Sequence, residues 1–199
     1  MLRRSILTVS VLLVSFACGS SPTGPSDTGG SGTAGAAGTL AVRITDSPFG
    51  AAKAVLVTFS EVSVRRGDDW TRVPFPDGST ATWTCDLKKL ENNAEDLLAV
   101  GSMPHAEYTW VRLIIQSARL YVQNSAVSPT PCARSIPEPA GESYAMNLAS
   151  REGSTNGSFP VTSTEGRTVL LDFDGEASIT ENGTNNFTMS PVIRLISVR

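Results

Sequence analysis

The chain has 199 residues, 40% hydrophobic and 18% charged, with a formal net charge of −3 and one histidine. That is enough apolar material for one packed domain with extensions. The mildly acidic balance argues against a nucleic-acid partner, which requires clustered Lys and Arg on phosphates.

The N-terminus opens with Arg3-Arg4 and a short apolar run from Ser5 to Ala17. This is too short to span a bilayer, which takes about 20 apolar residues, and has the layout of a secretory signal over 1–17. Ala17-Cys18-Gly19 at its end resembles a bacterial lipobox, in which the Cys thiol takes a diacylglycerol and becomes the new N-terminus. Ser15 and Phe16 depart from the usual Leu and small residue. Cys18 is the expected lipid attachment site, with ordinary signal cleavage near Ala17 as the plainer alternative. Loss of Arg3 and Arg4 leaves 14 basic against 19 acidic residues, a net charge of −5. Gly19 to Gly38 is Gly, Ser, Thr, Ala and Pro with one charge, Asp27, and reads as a flexible tether reaching roughly 25 Å.

From Thr39 the pattern changes. Leu40, Val42 and Ile44 alternate in a first strand, which Asp46-Ser47-Pro48-Phe49-Gly50 ends with turn residues. Ala54 to Arg65 is a long second strand. Val55, Val57 and Phe59 share one phase and Val62 and Val64 the other, so a bulge or bend is expected near Ser60-Glu61. Trp70 to Val73 and Ser79 to Cys85 are shorter strands. Between Asp86 and Val100, Leu87, Leu90, Ala94, Leu97 and Leu98 recur at three and four, predicting a short helix or two helical turns. Tyr108 to Gln123 is a second long strand with the same change of phase, from Val111, Leu113 and Ile115 to Ala118, Leu120 and Val122. The proline-rich stretch Ser125 to Gly141 reads as a long surface loop.

Glu142 to Leu148 and Gly157 to Val161 are weak strands, Arg167 to Asp174 a strong one and Ala177 to Thr180 a short one. Glu181-Asn182-Gly183 is a hairpin signal. Phe187 to Val198 closes the domain, with Pro191 marking an edge or bulge. The expected fold is mainly β, an antiparallel β-sandwich over 39–199, Ig-like or transthyretin-like, with one short helix.

Four stretches carry a family likeness: Gly38 to Pro48, Ala54 to Val64, Met103 to Leu113, and Leu170-Leu171-Asp172-Phe173-Asp174 with Ser178-Ile179 and Pro191 to Arg194. Together they resemble the bacterial and archaeal lipoprotein domain known as domain of unknown function 4382. The chain departs at His105-Ala106, where that family tends to have Ala-Gly in a tight turn, and in its long insert around Ser125–Gly141. The resemblance implies a secreted, usually lipid-anchored β-sandwich. It implies no established activity and brings no catalytic or ligand residues.

The chemistry the residues offer is sparse. Asp172 and Asp174 flank Phe173, so a strand sets both carboxylates on one face, roughly 7 Å apart. With Asp46, they are the candidate ligands of a weak Ca²⁺ site, and Glu61 could join them if the strands are neighbours. The plainer reading is that these acids keep a sheet face wet or cap a turn. His105 sits beside Pro104 in an expected turn, and no nucleophile signature accompanies it. Trp70, Trp83, Trp110 and Tyr121 could form a sugar-stacking platform, although sandwich cores also use aromatics. With Cys18 assigned to lipid, Cys85 and Cys132 are left to pair in an exported compartment, two free thiols being the alternative.

Two functions from different classes follow. One is an envelope lipoprotein, anchored by lipid in the outer membrane, whose sandwich is a binding, adhesion or structural module for an envelope glycan or protein. The other is an envelope hydrolase or metal-dependent enzyme using the acidic face around Asp172 and Asp174. The lack of a nucleophile motif favours the first and an absence of catalytic residues.

Overall fold

The computed structural model describes residues 36–47 and 49–199. The leader expected over 1–17, Cys18, the tether up to residue 35, and Pro48 lie outside the described residues. In chain order the strands are β1 (Ala37–Ser47), β2 (Ala54–Arg66), β3 (Asp69–Val73), β4 (Trp83–Asp86), β5 (Asp96–Pro104), β6 (Ala106–Tyr121), β7 (Cys132–Ala133) and β8 (Ser143–Ala145). They continue with β9 (Asn147–Leu148), β10 (Glu152–Val161), β11 (Arg167–Asp174), β12 (Ile179–Glu181), β13 (Phe187–Met189) and β14 (Ile193–Val198).

Two large sheets form the fold. One has the order β14-β11-β1-β5, and the other β10-β6-β2-β4-β7, with β3 also on β2 and β8 on β6. A small third sheet is β12-β13-β9. The alternation read from the sequence places the core. Leu40, Val42 and Ile44 of β1 and Val169, Leu171 and Phe173 of β11 are fully buried against Val55, Val57, Phe59, Leu113 and Ile115 of the other sheet. Phe59 and Phe173 meet edge to face across the gap, centroids 6.3 Å apart, the geometry aromatic quadrupoles favour.

The change of phase in both long strands has one cause. β2 and β6 pair antiparallel, with register shifts between Thr58 and Phe59 and between Phe59 and Glu61. Phe59 faces Ile115 while Thr58 faces Ser117, which leaves Gln116 spare on β6; Glu61 then faces Ile114, which leaves Ser60 spare on β2. Each bulge flips its own strand, the two offset each other, and one face stays buried on both sides of the kink.

Four expectations need correction. The sandwich is not purely antiparallel, because β1 and β11 run parallel from Leu40 beside Arg167 to Ser47 beside Asp174, as do β9 and β13. The short helix or two helical turns expected between Asp86 and Val100 reduce to one 3₁₀ turn, Leu87–Lys89, capped by the Asp86 side chain, followed by the edge strand β5. Leu87, Leu90 and Leu98 are buried, but Asn92 and Asn93 take left-handed backbone angles between them, which no helix continues through. The helical turn lies elsewhere, at Gly175–Ser178, where a strand was expected from Ala177. The tether ends earlier than Gly38, since Ala37 and Gly38 already pair with Pro104 and Met103 of β5.

The insert after β6 folds back rather than projecting. Ala126 and Ile136 pack on Ala54, Leu56 and Tyr121, a second small apolar cluster on the outer face of the β2–β6 sheet. Its anchor is the disulfide between Cys85 and Cys132, which face each other across the β4–β7 pair. The bond closes a separation of 47 residues, for which chain entropy gives about 4 kcal/mol. The Cys85→Ser, Cys132→Ser double variant should therefore unfold at clearly lower denaturant, with the wild-type chain yielding neither thiol to alkylation before reduction. Two alkylatable thiols in the unreduced protein would contradict the bond.

Candidate functional site

The parallel strands β1 and β11 end together, which brings Asp46, Asp172 and Asp174 to one end of the sheet. Alternation then separates them. Asp46 is in phase with the core residues Leu40, Val42 and Ile44, while Asp172 and Asp174 share the outer face with Thr45 and Ser47.

All three carboxylates are buried, each about 6% exposed, and each has a local task. Ser47 Oγ donates to both oxygens of Asp172, at 3.1 and 3.0 Å. Arg194 of β14, directly opposite Asp172 in the register, reaches Asp172 at 3.7 Å and Asp174 at 2.5 Å. Asp174 Oδ1 also accepts from the Ala177 amide at 2.9 Å, capping the helical turn. Asp46 Oδ1 accepts from the Gly175 amide at 3.1 Å, and its Oδ2 is sealed from water without a partner among the described residues. A Cβ on Gly175 would lie 3.0 Å from Asp46 Oδ1, so glycine is what admits this contact.

Around this end lies a cleft of about 490 Å³. Thr45 Oγ1 holds its rim by donating to the carbonyls of Leu90 and Ala94, at 3.0 and 2.7 Å. Asn92 and Asn93 stand on the rim, and Leu170 and Ile196 provide the apolar part of the wall. Glu95 in the cleft is held by Arg43 at 3.3 Å and Arg199 at 3.2 Å. The acids bordering this space are thus already met by guanidinium groups, apart from Asp46.

The Ca²⁺ expectation for Asp46, Asp172 and Asp174 is corrected accordingly. Among the described residues no three His, Cys, Asp or Glu side chains are grouped to hold a metal ion. Arg194 supplies the positive charge between Asp172 and Asp174, and Asp46 belongs to the other face. Glu61 does not join them, since it lies on β2 in the other sheet, paired with Arg112 at 2.9 Å.

Nor do the four aromatics form one platform. Trp83 stacks on Phe75, and Tyr121 is buried beneath the insert. Trp70 and Trp110 do share a face, but Arg65 lies between them, 5.8 and 5.0 Å from their centroids, and Arg112 is 4.2 Å from Trp70. Guanidinium groups cover the indoles, a cation–π arrangement that holds both partners. His105 is exposed where β5 passes into β6.

With this geometry in view, the family described as "Domain of unknown function (DUF4382)" matches residues 37–191. The chain belongs to that family. No curated protein matches it, and no solved structure does. The DUF4382 match takes in Asp46, Asp172 and Asp174 and stops before β14, so Arg194 lies just beyond it. Arg194 is also the residue that sequence reasoning missed. The only signal was an arginine on the outward phase of the last strand, and its partners are fixed by register, which the sequence does not state.

Burial pushes the Asp46 carboxyl up to about 8, opposed by the hydrogen bond from the Gly175 amide. The unfolded chain releases this proton near the ordinary value of 3.8, whereas the folded protein keeps it up to about pH 8. Stability from this group is therefore fully present below about pH 4 and is lost as pH rises towards 8, by something on the order of a few kcal/mol. Asp46→Asn should flatten that dependence, raising the denaturation midpoint at pH 8 and leaving it nearly unchanged at pH 4. Equal slopes in wild type and variant between these pH values would refute the assignment.

Proposed function

We propose that this DUF4382 chain is an exported lipoprotein, anchored through Cys18 in the cell envelope, whose β-sandwich acts as a binding, adhesion or structural module rather than an enzyme. In this reading residues 1–17 are removed, Cys18 carries the lipid in the outer membrane, and the Gly/Ser-rich tether holds the sandwich off the surface. The observation that carries it is the Cys85–Cys132 disulfide, since such bonds persist in oxidising, exported compartments and are rare in the cytosol. The leader pattern supports the same address.

The hydrolase or metal-dependent alternative needs the Asp172–Asp174 pair free to reach a substrate or ion. Both carboxylates are buried, and they are engaged by Arg194, Ser47 and the Ala177 amide. That favours the module reading.

Expression of the whole chain in a lipoprotein-competent bacterium fed labelled palmitate tests the anchor. The label should appear on the protein in the membrane fraction and disappear with Cys18→Ala. An unlabelled, soluble product that is the same for wild type and variant would overturn the proposal.

A further inference from the structure

The Ser125–Gly141 insert roofs the outer face of β2, β4 and β6 and leaves a cavity of about 260 Å³ beneath it. Its polar floor is made of the hydroxyls of Thr58, Thr84 and Ser117, with Thr58 Oγ1 and Thr84 Oγ1 3.0 Å apart. Three further groups line it: Tyr121, Arg119 and Glu138. Tyr121 is 1% exposed, and its hydroxyl has no hydrogen-bond partner among the described residues. Burial, and the Glu138 carboxylate towards which its O–H is drawn, push that phenol up to about 12, so it stays a neutral hydroxyl directed at Glu138. Arg119 donates to Ser143 Oγ at 3.1 Å. Among the described residues neither Arg119 nor Glu138 forms an ion pair, with each other or with any other group.

A buried polar group without a partner costs free energy, of order 1–3 kcal/mol, and such groups commonly mark where a ligand or ordered water completes the set. Here a half-buried guanidinium and a solvent-exposed carboxylate border one small cavity without pairing. A ligand carrying both charges meets each with its opposite. Leu56, Ala118 and Ile136 give the same space an apolar wall, suited to an aliphatic side chain. The ring of Tyr121 is packed within the Ala54, Leu56, Ala126 and Ile136 cluster, which leaves no aromatic face for a sugar.

We propose that this cavity binds a small zwitterion, a free α-amino acid with an aliphatic side chain. Arg119 takes the carboxylate, Glu138 and the Tyr121 hydroxyl take the ammonium, and the side chain rests on Leu56 and Ile136. The proposal deepens the binding-module reading and is independent of the anchor. Palmitate labelling reports on the anchor alone, and the ligand experiment reports on the cavity alone.

The test is a thermal melt of the purified full chain with millimolar L-valine, beside isobutylamine (no carboxylate), isobutyrate (no ammonium) and glucose. L-Valine should raise the melting temperature by several degrees, as expected for a ligand well above its Kd that binds only the folded state. The three controls should not. Glu138→Gln lies on the exposed insert, and Tyr121→Phe removes only the unpartnered hydroxyl, so both should fold and melt near the wild-type temperature while losing most of the valine shift. Arg119→Gln should abolish it. No shift with valine in the wild type, an equal shift with glucose or either half-molecule, or a valine shift that survives both Glu138→Gln and Tyr121→Phe would each overturn the proposal.

Discussion

The pairing of β2 with β6 is the constraint on which the other features depend. These are the longest strands described, and between them they supply much of one side of the core, to which Val73, Cys85, Phe159 and Val161 of the neighbouring strands add. One spare residue on each strand, Ser60 and Gln116, lets both strands kink while Val55 to Val64 and Val111 to Leu120 keep a single buried face. The kink also divides the outer face of that sheet. On the Ala54 and Tyr121 side the insert covers it and encloses the small cavity. On the Arg65 and Trp110 side it is open and carries the alternating Trp and Arg side chains. A chain with only one of the two bulges would send half of one strand's apolar residues to solvent.

Burial without full compensation recurs in the structure. Asp46 and Asp86 each have a carboxylate oxygen sealed from water with no partner among the described residues. Asp86 Oδ1 accepts from both the Val55 amide and the Lys88 amide of the 3₁₀ turn, so it ties β2 to the β4 end. Burial raises its carboxyl above the usual range. Asp46 ties β1 to the turn at Gly175 in a comparable way. Both acids sit where a strand ends and the chain must change direction without backbone ladder bonds, which is where a side-chain acceptor is most useful.

Much of this architecture was legible in the sequence because it depends on period-two alternation, which is local. The inward phase of β1, the span of β11, the double slip in β2 and β6, and the hairpin at Gly183 all follow from neighbouring residues. Of the short helix or two helical turns expected between Asp86 and Val100, one 3₁₀ turn is present, because spacings of three and four also arise when a short turn and a strand each bury leucines. Asn92 and Asn93, able to take left-handed angles, were the available sign of a break. The parallel β1–β11 pair was not legible, since strand neighbours distant in sequence leave no local trace. The fate of the acidic residues was illegible for the same reason. Their spacing on β11 predicted one shared face correctly, but the cation between them comes from Arg194, on a strand whose position depends on topology.

The functional account therefore turns on whether the acidic end of the β1–β11 pair is a folding element or a site for a bound cation. Denaturant unfolding of the full chain carrying Asp172→Asn and Asp174→Asn, in EDTA and in millimolar Ca²⁺, separates the two most directly. If Arg194, Ser47 and the turn at Gly175 are what these carboxylates serve, the double variant unfolds at a lower midpoint than wild type by the same amount in both solutions, and the wild type is indifferent to Ca²⁺. A wild-type midpoint that rises with Ca²⁺, in a variant-sensitive manner and with no difference between the proteins in EDTA, would contradict it.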